Sequence, residues 1–186
     1  RESLLFREVT ELFEILDSRR SRITRPSDDL RFPIHVHARY ARNEVLAAFE
    51  VPVAGRYGTG VVWAEPKKAD LVFVDLNKSE KHYSPTTMYA DTAISDQIFQ
   101  WESQSVTSEE SPTGNRYVNH RALGTTFHLF VREYKKDPET GVTMPYMYFG
   151  PATYMSHTGS KPMRILWHLE FPIPADVLVK SKVIAS

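Results

Sequence analysis

DLVFVDLNKS, residues 70–79, is the strongest strand signal in the chain. Side chains alternate between the two faces of an extended segment, so Leu71 and Phe73 share one face and Val72 and Val74 share the other. Because apolar side chains occupy both faces, the segment predicts a strand that is covered on both sides, at the centre of a sheet.

Most of the remaining regular segments also carry strand patterns. In PYMYFGPATYMSH, residues 145–157, the pair Gly150–Pro151 interrupts the pattern, and a kink or bulge is expected there. KKDPETG, residues 135–141, has the composition of a hairpin tip. The other predicted strands are short extended runs at 34–37, 60–65, 125–134, 163–172 and 177–179.

Two segments predict helices. ESLLFREVTELFEILD, residues 2–17, has an apolar stripe and an acidic face, which is typical of an amphipathic helix. Residues 41–49 predict a second helix with Val45, Leu46 and Phe49 on its buried side. Short strands, long connections and few helices indicate an α+β fold, either a curved mixed sheet or a partly closed β-barrel, with an N-terminal amphipathic helix. We expect residues 1–31 to form a helical lead-in or linker and residues 32–186 to form a single domain.

WESQSVTSEESPTGNRYVNH, residues 101–120, predicts a long polar loop after a strand that ends near Trp101. Loops of this length inside compact domains are usually functional or disordered, and the aromatic residues at the two ends favour an ordered loop. A planar ring beside amide and hydroxyl groups suits a pocket for a flat polar ligand such as a nucleobase. The alternative is a solvated loop anchored by two core aromatic residues.

Two further segments are candidates for phosphate contacts. Residues 77–95, NKSEKHYSPTTMYADTAIS, combine lysines, hydroxyls and tyrosines, which are side chains that contact phosphates. A solvated connection with one Ser-Pro turn explains the same composition. The arginines between residues 19 and 25 predict either a phosphate-contacting arm or a solvated cap on the dipole of the preceding helix.

Composition limits the classes of partner. The 186 residues carry 23 basic and 23 acidic side chains, so no global field draws the chain onto nucleic acid. Cysteine is absent from the sequence, which is typical of a reducing cytoplasmic compartment. No run approaches the roughly 18 apolar residues of a membrane span, and no signal peptide is recognisable. The sequence begins at Arg1 within a helical pattern, which indicates a piece of a longer protein.

The sequence carries no recognised catalytic motif. It lacks H-E-x-x-H, G-x-S-x-G and a Walker lysine loop. Glu102, the pair Glu109–Glu110 and Lys135 do not show the convergent spacing of a nuclease site. His35 and His37 share one side of the predicted strand, but no third ligand lies nearby, so they predict structural histidines. We therefore expect a non-catalytic domain without a metal or cofactor.

Six phrases in the same order nevertheless resemble a known family. They are HARYARNEVLAAF, DLVFVDLNKSEKHYSPTTMYADTAIS, FQWESQSVTSEESPTGNRYVNH, LFVREYKKD, PYMYFGPATYMSHTGSKPM and ILWHLEFPIP. Over residues 33–173 the chain is similar to a domain of uncharacterised function at the C-terminus of bacterial superfamily 2 helicase-like proteins. Many of those proteins also carry a phospholipase-D-like nuclease, and some are similar to ATP-dependent type IV restriction enzymes that cut DNA containing methylated cytosine.

The resemblance implies a division of labour. The helicase would hydrolyse ATP, the nuclease would cut, and this domain would recognise double-stranded, modified DNA. The rivals are a module that docks on its own helicase and nuclease domains, and a hidden nuclease. A base reader with a barrel like that of SRA or PUA-like domains is an analogy at the level of fold.

A reader of a 5-methyl group can contact it in the major groove, or it can flip the modified cytosine into an aromatic pocket. The residues of the two polar loops fit the second scheme better. The expected pocket residues are Trp101, Gln104, Ser105, Tyr117, Asn119 and His120, with Tyr83 and Tyr89 as further walls. The expected contacts to the DNA backbone are Lys78, Ser79, Lys81, Thr86, Arg116, Arg20, Arg22 and Arg25.

Overall fold

The computed structural model of the chain describes residues 8–11, 13, 32–52, 59–77 and 91–179. Within the predicted helix over 2–17, residues 8–11 and 13 are helical and the others lie outside the described residues, so the N-terminal amphipathic helix stays a prediction. The other described elements are two α-helices, a 3-10 helix at Glu65–Lys67, eight strands and a helical segment at residues 175–179, which make up a mixed α+β fold.

The eight strands belong to one mixed sheet. In chain order they are β1 (Arg39–Tyr40), β2 (Val61–Ala64), β3 (Ala69–Asp75), β4 (Thr92–Ala93), β5 (Ile98–Glu102), β6 (Thr126–Arg132), β7 (Tyr146–Thr158) and β8 (Arg164–Leu169). The spatial order is β2-β3-β6-β7-β8-β5-β4, and β1 pairs with β7. Strands β3 and β6 run parallel, with Asp75 opposite Arg132, and the other pairs are antiparallel.

The long strand β7 bends the sheet at two bulges. Its register against β6 shifts so that Phe149 is an extra residue, next to Gly150 at φ +101°. A second shift, against β8, leaves Met155 as the extra residue. Bulges kink a strand and increase its twist, so they account for the curvature, and the predicted irregularity at Gly150–Pro151 is confirmed. The described strands form a curved sheet that does not close, which selects the open alternative over the barrel.

Both faces of the central strands are buried, as the alternation in 70–79 predicted. Leu71 and Phe73 pack under α1 (Arg42–Ala48) with Val45, Leu46 and Phe49. Val72 and Val74 face a second cluster under α2 (Pro112–Val118), in which Trp167 stacks on Phe127 with 3.6 Å between ring centroids. The sheet therefore separates two cores.

Helix α2 is the main departure from the prediction, because it lies inside the segment expected to be a loop. Ser111 is its N-cap and accepts a hydrogen bond from the Gly114 amide at 3.1 Å, and Pro112 occupies the first turn, where its missing N–H costs nothing. Only Gly114 and Tyr117 of this helix are buried, too few to produce a helical period in the sequence.

Two predicted strands are wrong. Residues 175–179 are helical, with the Val177 and Leu178 amides donating to the Pro174 carbonyl. The run at 34–37 contributes only an isolated bridge at Val36, because His37 adopts φ +66° and ends the extended conformation. The other predicted strands, at 60–65, 125–134, 145–157 and 163–172, and the helix at 41–49 are confirmed with small shifts in their ends.

A buried ion pair ties α2 to β3. Arg116 donates from Nε and Nη2 to the two carboxylate oxygens of Asp70 at 2.7 and 2.8 Å, and its guanidinium lies 4.2 Å from the centroid of Trp63. Asp70 is 2% exposed, and burial raises the pKa of its carboxyl while the hydrogen bonds from Arg116 act in the opposite direction. With two short bonds to a guanidinium, Asp70 is ionised at neutral pH.

We expect Arg116→Gln to lower the free energy of unfolding by about 3 kcal/mol, because it leaves a buried carboxylate without its cation. Without Arg116, the raised pKa of Asp70 means that the folded state holds a proton more tightly than the unfolded state. Stability of the variant is therefore retained at low pH and lost as pH rises. Urea denaturation at several pH values measures this. Arg164→Gln is the control. It breaks the ion pair between half-exposed Arg164 and Glu102, and it should lower the free energy of unfolding by less than about 1 kcal/mol. Equal losses of unfolding free energy in the two variants would contradict a stabilising role for the buried Arg116–Asp70 pair.

A close approach at Gly114 gives a second expectation. A methyl group there would overlap the carbonyl of Ser108 and lie 3.1 Å from Sδ of Met163. Gly114→Ala should therefore destabilise the protein by about 1–3 kcal/mol, although alanine is the better helix former. Thermal unfolding of Gly114→Ala is compared with that of Asn115→Ala, a substitution at an exposed position on the same helix. A stabilised Gly114→Ala variant would show that α2 does not pack as described.

Candidate functional site

A cleft of about 700 Å³ lies at the carboxyl ends of the parallel strands β3 and β6. One wall consists of the end of β5, with Trp101, and the segment that follows it, with Gln104 and Ser105. The opposite wall carries charged and aromatic side chains: Arg42, Phe73, Asp75, Arg132, Lys135 and Tyr146. This volume falls within the roughly 300–1,000 Å³ of small-ligand sites.

The first wall is a rigid turn. The Thr107 amide donates to the Gln104 carbonyl at 2.9 Å, and buried Ser103 anchors the turn by exchanging hydrogen bonds with Met163. On the other side, the Lys161 amide donates to the Thr107 carbonyl at 3.0 Å. Ser105 and Val106, at the tip, are exposed. The turn is therefore held at both ends while its tip faces solvent at the rim of the cleft.

Gln104 is the best oriented polar group on this wall. Its Oε1 accepts from the Thr107 hydroxyl at 3.3 Å and from the Tyr117 hydroxyl at 3.4 Å. Tyr117 is 1% exposed, and burial raises the pKa of its hydroxyl, which keeps it protonated as a donor. Because Oε1 is occupied, the amide Nε2 of Gln104 is the group left to donate to a ligand.

The two aromatic rings of the predicted pocket belong to the core. Trp101 is 4% exposed and meets Tyr117 and Phe127 edge-on, with centroids 5.5 and 5.7 Å away. Trp101 lines the cleft, whereas Tyr117 acts on it through Gln104. A base could stack flat on Trp101 only if these ring contacts rearranged.

The second wall was missed by the sequence reasoning. Arg132 donates from Nε and Nη2 to Asp75 at 2.6 and 3.1 Å and from Nη1 to the Met144 carbonyl at 3.0 Å. Its guanidinium lies 4.1 Å from the centroid of Tyr146, and Arg42 lies 4.6 Å from that of Phe73. The only sequence signal was the position of Asp75 on the same strand face as Phe73.

The remaining predicted residues lie elsewhere. Asn119 is exposed and donates to Asn115 at 2.7 Å, and His120 lines a separate cleft with His168 and Glu170. Arg116 is bonded to Asp70, so it has a structural partner in place of the free charge that the prediction assumed. Outside the described residues lie Lys78, Ser79, Lys81, Tyr83, Thr86, Tyr89, Arg20, Arg22 and Arg25. The structure thus brings together Trp101, Gln104 and Ser105.

His120 joins the end of α2 to β7. Its Nε2 accepts from the Tyr154 amide at 3.1 Å, which leaves the proton on Nδ1, 3.4 Å from the Thr125 carbonyl. Burial lowers the pKa of His120, and the charge on Arg121 adds to this effect. The imidazole is therefore neutral and fixed in one tautomer.

Within the described ranges, no three His, Asp or Glu side chains are grouped so that they could hold a metal ion. A helix of sufficient length and apolar character to cross a membrane is also not found in this part of the chain.

We expect the protein to lose stability as the pH falls below about 6.5, the ordinary pKa of histidine, because the unfolded state then takes up a proton that folded His120 resists. His120→Gln keeps an acceptor for the Tyr154 amide and should lose less stability between about pH 7.5 and about pH 5.5 than the parent does. Chemical denaturation at both pH values measures the difference, with exposed His168→Gln as the control. An unchanged pH dependence in His120→Gln would exclude His120 as its source.

Comparison with known proteins places the chain in a family. A family model described as "Domain of unknown function (DUF3427)" matches residues 34–180. Comparison with curated proteins gave no match. The family match confirms the resemblance to an uncharacterised domain, while the helicase and restriction context stays a proposal. Since the match covers most of the sequence, the chain belongs to the DUF3427 family of domains of unknown function.

Proposed function

We propose that this domain is the target-recognition module of a modification-dependent restriction protein, and that it receives a modified cytosine in the cleft between the two walls. One observation carries the proposal: Gln104 and Ser105 line the same cleft as two arginine side chains, and the cleft has the volume of a small-ligand site. A base reader needs polar groups that test one edge of the base and a surface that covers its plane.

The chemistry of the first wall suits the pairing edge of cytosine. That edge presents two acceptors and one amino donor. Nε2 of Gln104 can donate to the acceptors, and the Ser105 hydroxyl can donate or accept. The rigidity of the turn supports discrimination, because a donor held in place loses little conformational entropy on binding.

The second wall supplies what the buried aromatic rings do not. Guanidinium groups are planar and weakly hydrated, and they stack on flat π-systems. Arg42 and Arg132 already lie over Phe73 and Tyr146 and so present flat cationic surfaces in the cleft. A base that enters the cleft would meet these groups, and a 5-methyl group would find apolar contact on Val61 or Val106, which also line the cleft.

In this proposal the domain binds and the chemistry lies elsewhere. Its partners are double-stranded DNA and the helicase and nuclease domains of the same polypeptide, in the cytoplasm. The net charge of zero means that DNA binding depends on a local set of cations. We therefore expect moderate affinity with a shallow dependence on salt.

The experiment is a fluorescence-anisotropy titration of the 186-residue chain with two matched duplexes, one unmodified and one containing 5-methylcytosine, at two salt concentrations. We expect tighter binding to the modified duplex. Gln104→Ala should weaken that binding by about tenfold, since a specific base contact contributes about 1–3 kcal/mol. Gln97→Ala, on the β4–β5 turn away from the cleft, is the matched control and should bind like the parent.

Each result has a definite meaning. Equal affinity for the two duplexes would contradict reading of 5-methylcytosine. No binding to either duplex at the lower salt concentration would contradict DNA recognition altogether and favour a docking role. Gln104 is a better test than Trp101, because replacing a core tryptophan would disturb the fold.

A further inference from the structure

Arg42 is an unusual cation because it is half-buried and, within the part of the chain that the structure describes, is not paired with a carboxylate. Its Nη2 donates to the Thr59 carbonyl at 2.6 Å, and its guanidinium covers Phe73. Among the described residues, no carboxylate forms an ion pair with it. Buried charges are normally paired, so a cation in this setting indicates a missing partner.

The nearest carboxylate is already committed. Asp75 accepts two hydrogen bonds from Arg132, which is 7% exposed, and it also lies beside the Tyr146 hydroxyl. Asp75 is bonded to Arg132 and acts on Arg42 only through its charge. Burial is the main cause that lowers the pKa of Arg42, and Arg132 adds to it, whereas Tyr146 and Asp75 act in the opposite direction.

The geometry of the cleft favours an anion as the missing partner. In the described part of the chain, Arg132 donates three hydrogen bonds from its five N–H groups, whereas Arg42 donates one. Arg42 therefore has more N–H groups available to bind an anion. The exposed ammonium of Lys135 lines the same cleft. A planar guanidinium and an exposed ammonium in one cleft are suited to the tetrahedral oxygens of a phosphate, to which arginine donates two parallel hydrogen bonds.

We propose that Arg42 and Lys135 form a phosphate subsite in this cleft, with the Asp75–Arg132 pair as its fixed back wall. The inference rests on the proposed function in one respect: in a DNA complex the ligand is the phosphodiester next to the base that enters the cleft. Outside that context, the same donors would bind the phosphate of a free nucleotide.

The test pairs a protein substitution with a change in the DNA. A duplex with one neutral methylphosphonate linkage beside the modified cytosine lacks the charge that Arg42 would contact. We expect this linkage to weaken binding by the parent protein by about tenfold, the scale of one lost charge-assisted hydrogen bond. Arg42→Gln should weaken binding to the normal duplex by a similar factor, and the two changes together should cost no more than either one alone.

Controls separate the contact from the fold. Arg39→Gln, an exposed arginine on β1, should change neither affinity nor the effect of the methylphosphonate. If Arg42→Gln is unstable, Lys135→Gln tests the subsite in its place, because Lys135 is exposed. This variant should reduce the slope of log affinity against log salt concentration by about 0.9. Additive losses for Arg42→Gln and the methylphosphonate would overturn the subsite.

A second arm distinguishes the source of the phosphate. Deoxycytidine monophosphate and deoxycytidine are titrated separately at constant ionic strength, with amide chemical shifts as the signal. Phosphate-dependent binding that is lost in Arg42→Gln, without any DNA binding, would support a nucleotide site and reject the proposed function. Tighter binding to the modified duplex that is unchanged in both Arg42→Gln and Lys135→Gln would keep the recognition of modified DNA, reject the subsite, and exclude Arg42 as a surface that covers the base. No binding of DNA together with no response to either deoxycytidine monophosphate or deoxycytidine would reject both.

Discussion

The parallel pairing of β3 with β6 is the constraint on which the remaining structure depends. At one end of the pair, Asp70 of β3 holds Arg116 and so places α2 over the sheet. At the other end, Asp75 lies opposite Arg132 and forms the charged wall of the cleft. Both carboxylates lie on a strand whose other side chains are apolar and buried. Each bears a cost of desolvation that is tolerable only because a guanidinium meets it with two hydrogen bonds.

Much of the fold could be predicted from the sequence, because alternation is a local property. The two faces of β3 and the break at Gly150–Pro151 follow from side-chain type alone. Helix α2 could not be predicted in this way, since seven residues with two buried positions leave no period, and the helix depends on a cap and on tertiary contacts. The helical turn at 175–179 has a similar cause, because a short apolar run does not distinguish strand from helix.

The candidate site was only partly predictable, for a different reason. Composition identified a polar segment containing Gln104 and Ser105, which the structure places at one cleft with Trp101. Composition cannot tell whether a ring faces a ligand or the core, so Tyr117 was assigned to the pocket although it is buried behind it. Arg42 begins helix α1 and Arg132 ends strand β6, and they meet at the cleft only because the helix packs on the sheet. The sequence around each arginine does not indicate that the two side chains lie in the same cleft.

The connectivity of the central pair also bears on how the protein is made. Asp75 and Arg132 are separated by 57 positions, whereas β6, β7 and β8 follow one another as antiparallel neighbours. Closing a long loop costs entropy before its contacts form, so the β6–β7–β8 meander is expected to assemble first. On the ribosome, β3 would emerge early and wait, with two apolar faces exposed, until the meander has been synthesised. Because β3 precedes the meander that covers it, synthesis is the stage at which its apolar surface is most open to aggregation.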